Sequence, residues 1–246
     1  MSIKISIIIP FHNESKNITP LITKIDDVMK KMSVTYEIIA VDDASNDDSY
    51  DILQNLSEKF IRLRILHHKN NCGQSTAVVT GVRHSYGEMI ATLDGDGQND
   101  PSDIPNLYSV LQQTKNQNLK MIAGYRKNRK DTIFKKWGSK FANFVRSSLL
   151  KDATPDTGCG LKLFYRESFL NLPYFNHMHR FLPALIQREG GDVVSVEVKH
   201  FPRLHGSSHY NNLQRLWVGI IDMIGVIWLI KRSYKPQILE YKKGKS

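Results

Sequence analysis

What most constrains this chain is the alternation of short β-branched runs with segments of helical spacing. "IKISIIIP" (3–10), "YEIIAVDDAS" (36–45), "IRLRILHH" (61–68) and "EMIATLD" (88–94) read as strands. Between them, "NITPLITKIDDVMKKM" (17–32), "DSYDILQNLSEKF" (48–60) and "GQSTAVVTGVRHS" (73–85) place apolar residues at helical spacing, with Asp47 or Asp48 available to cap the second helix. A β-α-β-α order predicts an α/β fold: a mostly parallel sheet, helices on both faces, right-handed connections. The second half is less regular. It offers strands at 120–126 and 191–203, a basic amphipathic helix at 133–150, a strand turning into a helix at 160–169, and a long helix from about 211 to 232. No repeat or low-complexity linker interrupts it, so the simplest division is one domain over 1–210 and an appendage over 211–246.

Ligands of such sheets sit at the carboxyl ends of the strands. There this sequence concentrates its polar residues, in "PFHNES", "DDASND", "HKNNCG" and "DGDGQND". In the last, Asp94 and Asp96 are two apart and point the same way at a strand end. Gly95 and Gly97 permit positive φ, which lets the loop fold back and aim both carboxylates at one point. Two close carboxylates repel unless a cation or proton lies between them. Mg²⁺ or Mn²⁺ suits such oxygen ligands and leaves room for phosphate, and Gln98 adds a neutral oxygen. Asp100 before Pro101 reads instead as a turn and helix cap. Asp42 and Asp43 end the second strand, and strand alternation turns one of them toward the crevice.

The formal net charge is +10, which implies an anionic partner. The basic residues gather at 124–141 and 230–246, beside the apolar run "LWVGIIDMIGVIWLI" (216–230), and no nucleic-acid motif accompanies them. Nucleic acid is therefore not the expected partner. A spanning helix needs about 20 apolar residues. The 216–230 run is shorter and carries Asp222, so spanning, lying in the membrane interface between Trp217, Trp228 and the basic tail, and packing in the core all stay open. The N-terminus reads as a first strand rather than a signal peptide, and Cys72 and Cys159 have no disulfide or zinc spacing.

"SIIIPFHNESKNI", "IIAVDDASNDDS", "NCGQSTAVVTGVRHSYGEMIATLDGDGQNDP" and "TGCGLKLFYRE" together resemble the family-2 inverting glycosyltransferases, most of all the polyprenyl- and dolichol-phosphate sugar synthases. The resemblance covers residues 3 to about 210 and implies a GT-A-like nucleotide-sugar-binding fold. It implies that Pro10, Asn13 and Glu14 form a first nucleotide-contacting loop, that Asp43 lies near base and ribose, and that Gly73 and Gln74 close over the nucleotide. Asp94 and Asp96 match the pair that holds metal and diphosphate, with Gln98 as third ligand. Arg126 matches the basic residue after "AG", and Arg203 and Ser208 match a segment closing over donor and acceptor phosphates. Phe11 and His12 depart from the family's pattern in the first loop.

The resemblance implies transfer of a sugar from a UDP- or GDP-linked donor to a polyprenyl phosphate, with inversion, at the cytoplasmic face of a membrane. A hydroxyl acceptor needs a general base, whereas a lipid phosphate is already anionic and needs cations and an apolar surface. Arg126, Arg129, Lys130, Lys135 and Lys136 with the apolar helix supply these. Were the acceptor a sugar hydroxyl of a glycolipid or polysaccharide, Asp156 would be the candidate base. His177, His179, His205 and His209 have metal-like spacing but no supporting ligands nearby.

Overall fold

In a computed structural model, residues 2–127, 146–147, 149–150, 152, 154–202, 212–234 and 239 are described, with residues 212–217 as backbone alone. Arg203 and Ser208, the cluster Arg129–Lys136, most of the helix expected at 133–150, and the basic tail lie outside the described residues.

Seven strands form one sheet: β1 (Ile5–Phe11), β2 (Tyr36–Asp42), β3 (Leu63–His67), β4 (Met89–Thr92), β5 (Leu119–Tyr125), β6 (Lys162–Tyr165) and β7 (Asp192–Glu197). Their spatial order is β3-β2-β1-β4-β6-β5-β7. All neighbours run parallel except β6, which is antiparallel to both β4 and β5. The expected mostly parallel sheet is present, and β6 is its exception. That reversal brings the start of β6 to the edge where β1, β2, β4, β5 and β7 end.

Side-chain alternation splits the core into two layers. Ile5, Ile7, Ile9 and Phe11 face α1 (Ser15–Lys31), α2 (Ser49–Lys59) and α4 (Ile104–Gln113), through Ile18, Ile22, Leu53 and Leu107. Ile8, Ile39, Ile90 and Phe164 face α3 (Gln74–Arg83), α5 (Arg166–Leu170) and α6 (Leu182–Arg188), through Ala77, Val82, Phe169 and Leu185. Strand residues buried on both sides explain why β1 and β2 read as continuous apolar runs. Asp48 is the N-cap residue of α2 but makes no side-chain cap bond; Asp47 accepts from the Ser49 and Ser15 amides instead.

The last helix, α7 (Asn212–Lys231), packs one face in the core, as one of the readings left open expects. Val226 is fully buried, and Met223, Ile227 and Ile230 pack against the α3-side core. Asp222 pairs with His177 at 3.0 Å, and Arg188 Nε donates to the Leu229 carbonyl at 3.0 Å. The opposite face leaves Val218, Ile221, Ile224 and Trp228 to solvent, the last three 59–65% exposed. Among the described residues no helix is long and apolar enough to cross a membrane.

Candidate active site

The loop after β4 is closed by its own side chains. The Asp94 amide donates to Asn99 Oδ1 at 3.1 Å, and the Gln98 amide donates to Asp96 Oδ1 at 3.1 Å. Of the two glycines, Gly97 takes the left-handed backbone (φ +71°). Gly95 is needed for a different reason from the one expected. A Cβ there would stand 2.6 Å from both the Pro10 carbonyl oxygen and the Phe11 ring, so its missing side chain lets the loop press against the end of β1. Phe11, the departure in the first loop, is a fully buried core residue. His12 Nδ1 lies 2.9 Å from the Asp43 carbonyl oxygen and 3.1 Å from Asn71 Nδ2.

Asp94 is held from two sides. Gln74 Nε2, at the start of α3, donates to Asp94 Oδ1 at 2.7 Å. On the other side its carboxylate lies against Gly160, where a Cβ would stand 2.2 Å from Oδ2. Burial and then the Asp96 charge push the Asp94 carboxyl up to about 6, while Lys162, Arg126 and Gln74 oppose the rise. A carboxylate raised by the charge of a second carboxylate marks a hard-oxygen site suited to a divalent cation. The residues present thus fit a divalent cation, which Asp94 and Asp96 would hold.

Gln98 bonds the segment that follows β7. Its Nε2 donates to the Phe201 carbonyl at 3.3 Å, its own carbonyl accepts from the Phe201 amide at 2.9 Å, and Asn99 bridges His200. The loop after β4 is thus paired to residues 200–201. Asp100 caps the following turn, accepting from the Ser102 amide at 3.0 Å, and pairs with Lys24 at 2.9 Å.

Arg126 leaves β5 at the same edge and grips Asp156 with two bonds, Nε to Oδ2 at 2.6 Å and Nη2 to Oδ1 at 2.9 Å. Both side chains are about nine-tenths buried. A carboxylate whose two oxygens are engaged by a guanidinium is held ionised and is a poor proton acceptor. The base considered for a hydroxyl acceptor thus has both carboxylate oxygens bonded to Arg126.

Asp43 is more deeply committed than expected. Oδ1 accepts from the Cys72 amide at 2.8 Å and pairs with His68 Nδ1 at 2.7 Å; Oδ2 accepts from the Gly73 amide at 2.7 Å. Gly73 itself is at φ +85°. Asp43 thus holds the loop that carries Gln74. Ligand atoms of Asp43, His68 and Cys72 lie within 4.8 Å of one another, and these loop bonds account for that closeness. Asp42 is bonded to Ser45 and His67 behind the loop. Asn13, at φ +56°, clasps the same edge, accepting from the Asn46 amide at 2.8 Å and donating its own amide to Ser45 at 3.0 Å. Glu14 accepts from Asn17 at 2.6 Å. His179 bonds Ser75 at 2.7 Å, and burial holds its imidazole down to about 3, so it is neutral.

Lys162, Gly160 and Asn99 escaped the reading of the sequence. Lys162 is almost fully buried in β6. A lysine inside the apolar run "GLKLF" is the signal that could have found it, since an isolated ammonium is costly to bury.

The model of the family described as "Glycosyl transferase family 2" matches residues 6–172. The chain belongs to that family. A dodecaprenyl-phosphate galacturonate synthase of Rhizobium johnstonii is 31% identical over 239 residues, covering 96% of this chain and 70% of the relative. An undecaprenyl-phosphate 4-deoxy-4-formamido-L-arabinose transferase of Pseudomonas syringae pv. syringae is 30% identical over 214 residues, covering 85% and 61%. The chain thus spans 61–70% of the length of these two relatives. A mannosyltransferase of Pyrobaculum calidifontis, solved with GDP-Man and Mn²⁺, superposes with a TM-score of 0.65 at 19% identity, over 96% of this chain and 66% of that one. A mannosyl-3-phosphoglycerate synthase of Rubrobacter xylanophilus gives 0.68 at 13%, over 97% and 77%. The fold is therefore that of GT-A glycosyltransferases, and the protein is a family-2 glycosyltransferase.

Proposed function

We propose that this glycosyltransferase moves a sugar from a UDP- or GDP-linked donor to a polyprenyl phosphate, inverting the anomeric carbon. The observation that carries this reading is the Arg126–Asp156 clamp. It engages both oxygens of the candidate base and holds a cation at the same sheet edge, which supports an acceptor that is already anionic. The relatives named for dodecaprenyl- and undecaprenyl-phosphate sugar transfer support the same class of acceptor.

In this reading Asp94 and Asp96, with Gln98 as a candidate third ligand, hold Mg²⁺ or Mn²⁺. Bound there, the cation supplies charge to the departing nucleoside diphosphate. Gln74 orients Asp94. Asp43 acts on the nucleotide through the Cys72–Gln74 loop it holds, and Pro10, Asn13 and Glu14 line the neighbouring wall. Arg126, locked by Asp156, faces the phosphates, and Arg203 and Ser208 are assigned to the same phosphates from the sequence. Ile221, Ile224 and Trp228 on the free face of α7 rest on the membrane at its cytoplasmic side, as peripheral contacts.

The test is incubation with undecaprenyl phosphate and a panel of UDP- and GDP-sugars. An EDTA-sensitive, organic-extractable glycosyl phosphate is expected. Transfer to sugar hydroxyls alone would overturn the reading.

A further inference from the structure

The metal site contains a positive charge that the catalytic reading does not use. Lys162 pairs with Thr92 in the β4–β6 register, and the Thr92 hydroxyl donates to the Gly160 carbonyl at 2.8 Å. Extending that register two residues sets Asp94 opposite Gly160, and there the carboxylate does meet the glycine. Alternation then puts Thr92, Asp94, Gly160 and Lys162 on one face of the sheet. The ammonium donates to the Cys159 carbonyl. Burial lowers the pKa of the Lys162 amine most; Cys159, Asp94 and Asp156 oppose that, and Arg126 adds to it. Lys162 is 3% exposed. An ammonium so placed depends on the carboxylates around it to offset its burial.

The charge count is informative. Asp94, Asp96 and Asp156 oppose Arg126 and Lys162, which leaves one net negative charge. A divalent cation alone would turn the site positive and meet repulsion from Lys162. The same cation arriving with a diphosphate would not.

We propose that Lys162 is the resident counter-ion of the Asp94–Asp96 pair, limiting the affinity of the site for free divalent cation so that cation and nucleoside diphosphate bind and leave together. The inference rests on the metal reading above. Lys162 would be a positioning residue, acting through Asp94.

The experiment measures Mn²⁺ binding by electron paramagnetic resonance, with and without UDP and GDP, in the full chain and in Lys162→Met and Lys162→Arg. In the unaltered protein Mn²⁺ should bind much more tightly with the matching nucleoside diphosphate than without it. Lys162→Met should tighten free Mn²⁺ by about tenfold or more, because a like charge has been removed from a low-dielectric site. It should also shrink the enhancement by the diphosphate and lower kcat. Lys162→Arg should restore both. A merely structural lesion would weaken Mn²⁺ binding, as Asp94→Asn should. Unchanged or weaker free Mn²⁺ binding in a folded Lys162→Met overturns the inference and leaves the metal site standing. If Lys162→Met does not fold, the comparison passes to Lys162→Gln and to the unaltered protein, where equal Mn²⁺ affinity with and without either nucleotide overturns it. Failure of the unaltered protein to bind Mn²⁺ under any condition overturns the metal reading and this inference together.

Discussion

Gly160→Ala separates the site from the scaffold more sharply than a change to any carboxylate. The new Cβ would stand 2.2 Å from Asp94 Oδ2, 2.3 Å from Cγ and 2.5 Å from Oδ1. Ordinary contact begins near 3.4 Å, so the carboxylate must retreat by about 1.2 Å. What it meets is the end of one side chain, not backbone, so the carboxylate swings away and the fold gives little. The stability cost should lie at the low end of overpacking, roughly 1 kcal/mol, or about 2–4 °C in Tm for a chain of this size. The cost to catalysis should be far larger. Asp94 loses its bond to Gln74 and its alignment with Asp96, and a misplacement of about 1 Å typically costs about 10²-fold in rate. Transfer from a radiolabelled nucleotide sugar and Mn²⁺ affinity should both fall while the thermal transition hardly moves. Gly81→Ala is the control. Its Cβ would meet Ile8 Cγ2 at 2.4 Å in the core, so there Tm should drop and the folded fraction should keep its kinetics. Gly160→Ala with transfer within about threefold of the unaltered protein would refute the placement of Asp94 as a group that must not move.

Because Asp94 sits near 6 without a cation, against an ordinary value of 3.8, it stabilises the metal-free fold fully below pH 3.8 and loses that contribution as pH rises through 6. Asp94→Asn should therefore raise metal-free stability at pH 8, by at most about 3 kcal/mol and less where the carboxylate faces the crevice, and give no gain below pH 4; chemical denaturation at the two pH values checks this. In the unaltered protein Mn²⁺ affinity should weaken as pH falls through 6, which titration calorimetry would read. Asp156→Asn keeps a neutral partner for Arg126 and should leave transfer measurable, lower by about tenfold; complete loss in a stably folded variant would restore Asp156 as a base. Ile221→Glu with Trp228→Glu should abolish sedimentation with anionic vesicles and change stability by less than about 1 kcal/mol, since both side chains are exposed.

The first half was legible because its rules are local. Isoleucine-rich runs closed by carboxylates announce buried parallel strands and their ligand edge, and β1 to β4 lie where those runs do. The role of Asp100 could be read from the proline beside it. Three things could not be read, each because it depends on partners distant in sequence. "GLKLFY" looks the same whether its strand runs up or down, so the direction of β6 was hidden. Gly95 looked like a turn glycine until Pro10 and Phe11 stood against it. Asp43 and Asp156 looked like free carboxylates, because nothing near them in sequence announces the Cys72 and Gly73 amides or the Arg126 guanidinium.

The antiparallel strand also makes the sheet modular. β3, β2, β1 and β4 carry the loops proposed for the donor, while β6, β5 and β7 carry Arg126 and the segment leading to Arg203. The two blocks meet along a seam of four residue pairs, Met89–Thr92 against Lys162–Tyr165. Asp94 stands on one bank of that seam, with Gly160 and Lys162 on the other. A chimera that exchanges the second block between family members should inherit a new acceptor preference and keep its nucleotide. It would do so only if the incoming block brings a residue without a side chain opposite Asp94 and a cation two positions further on.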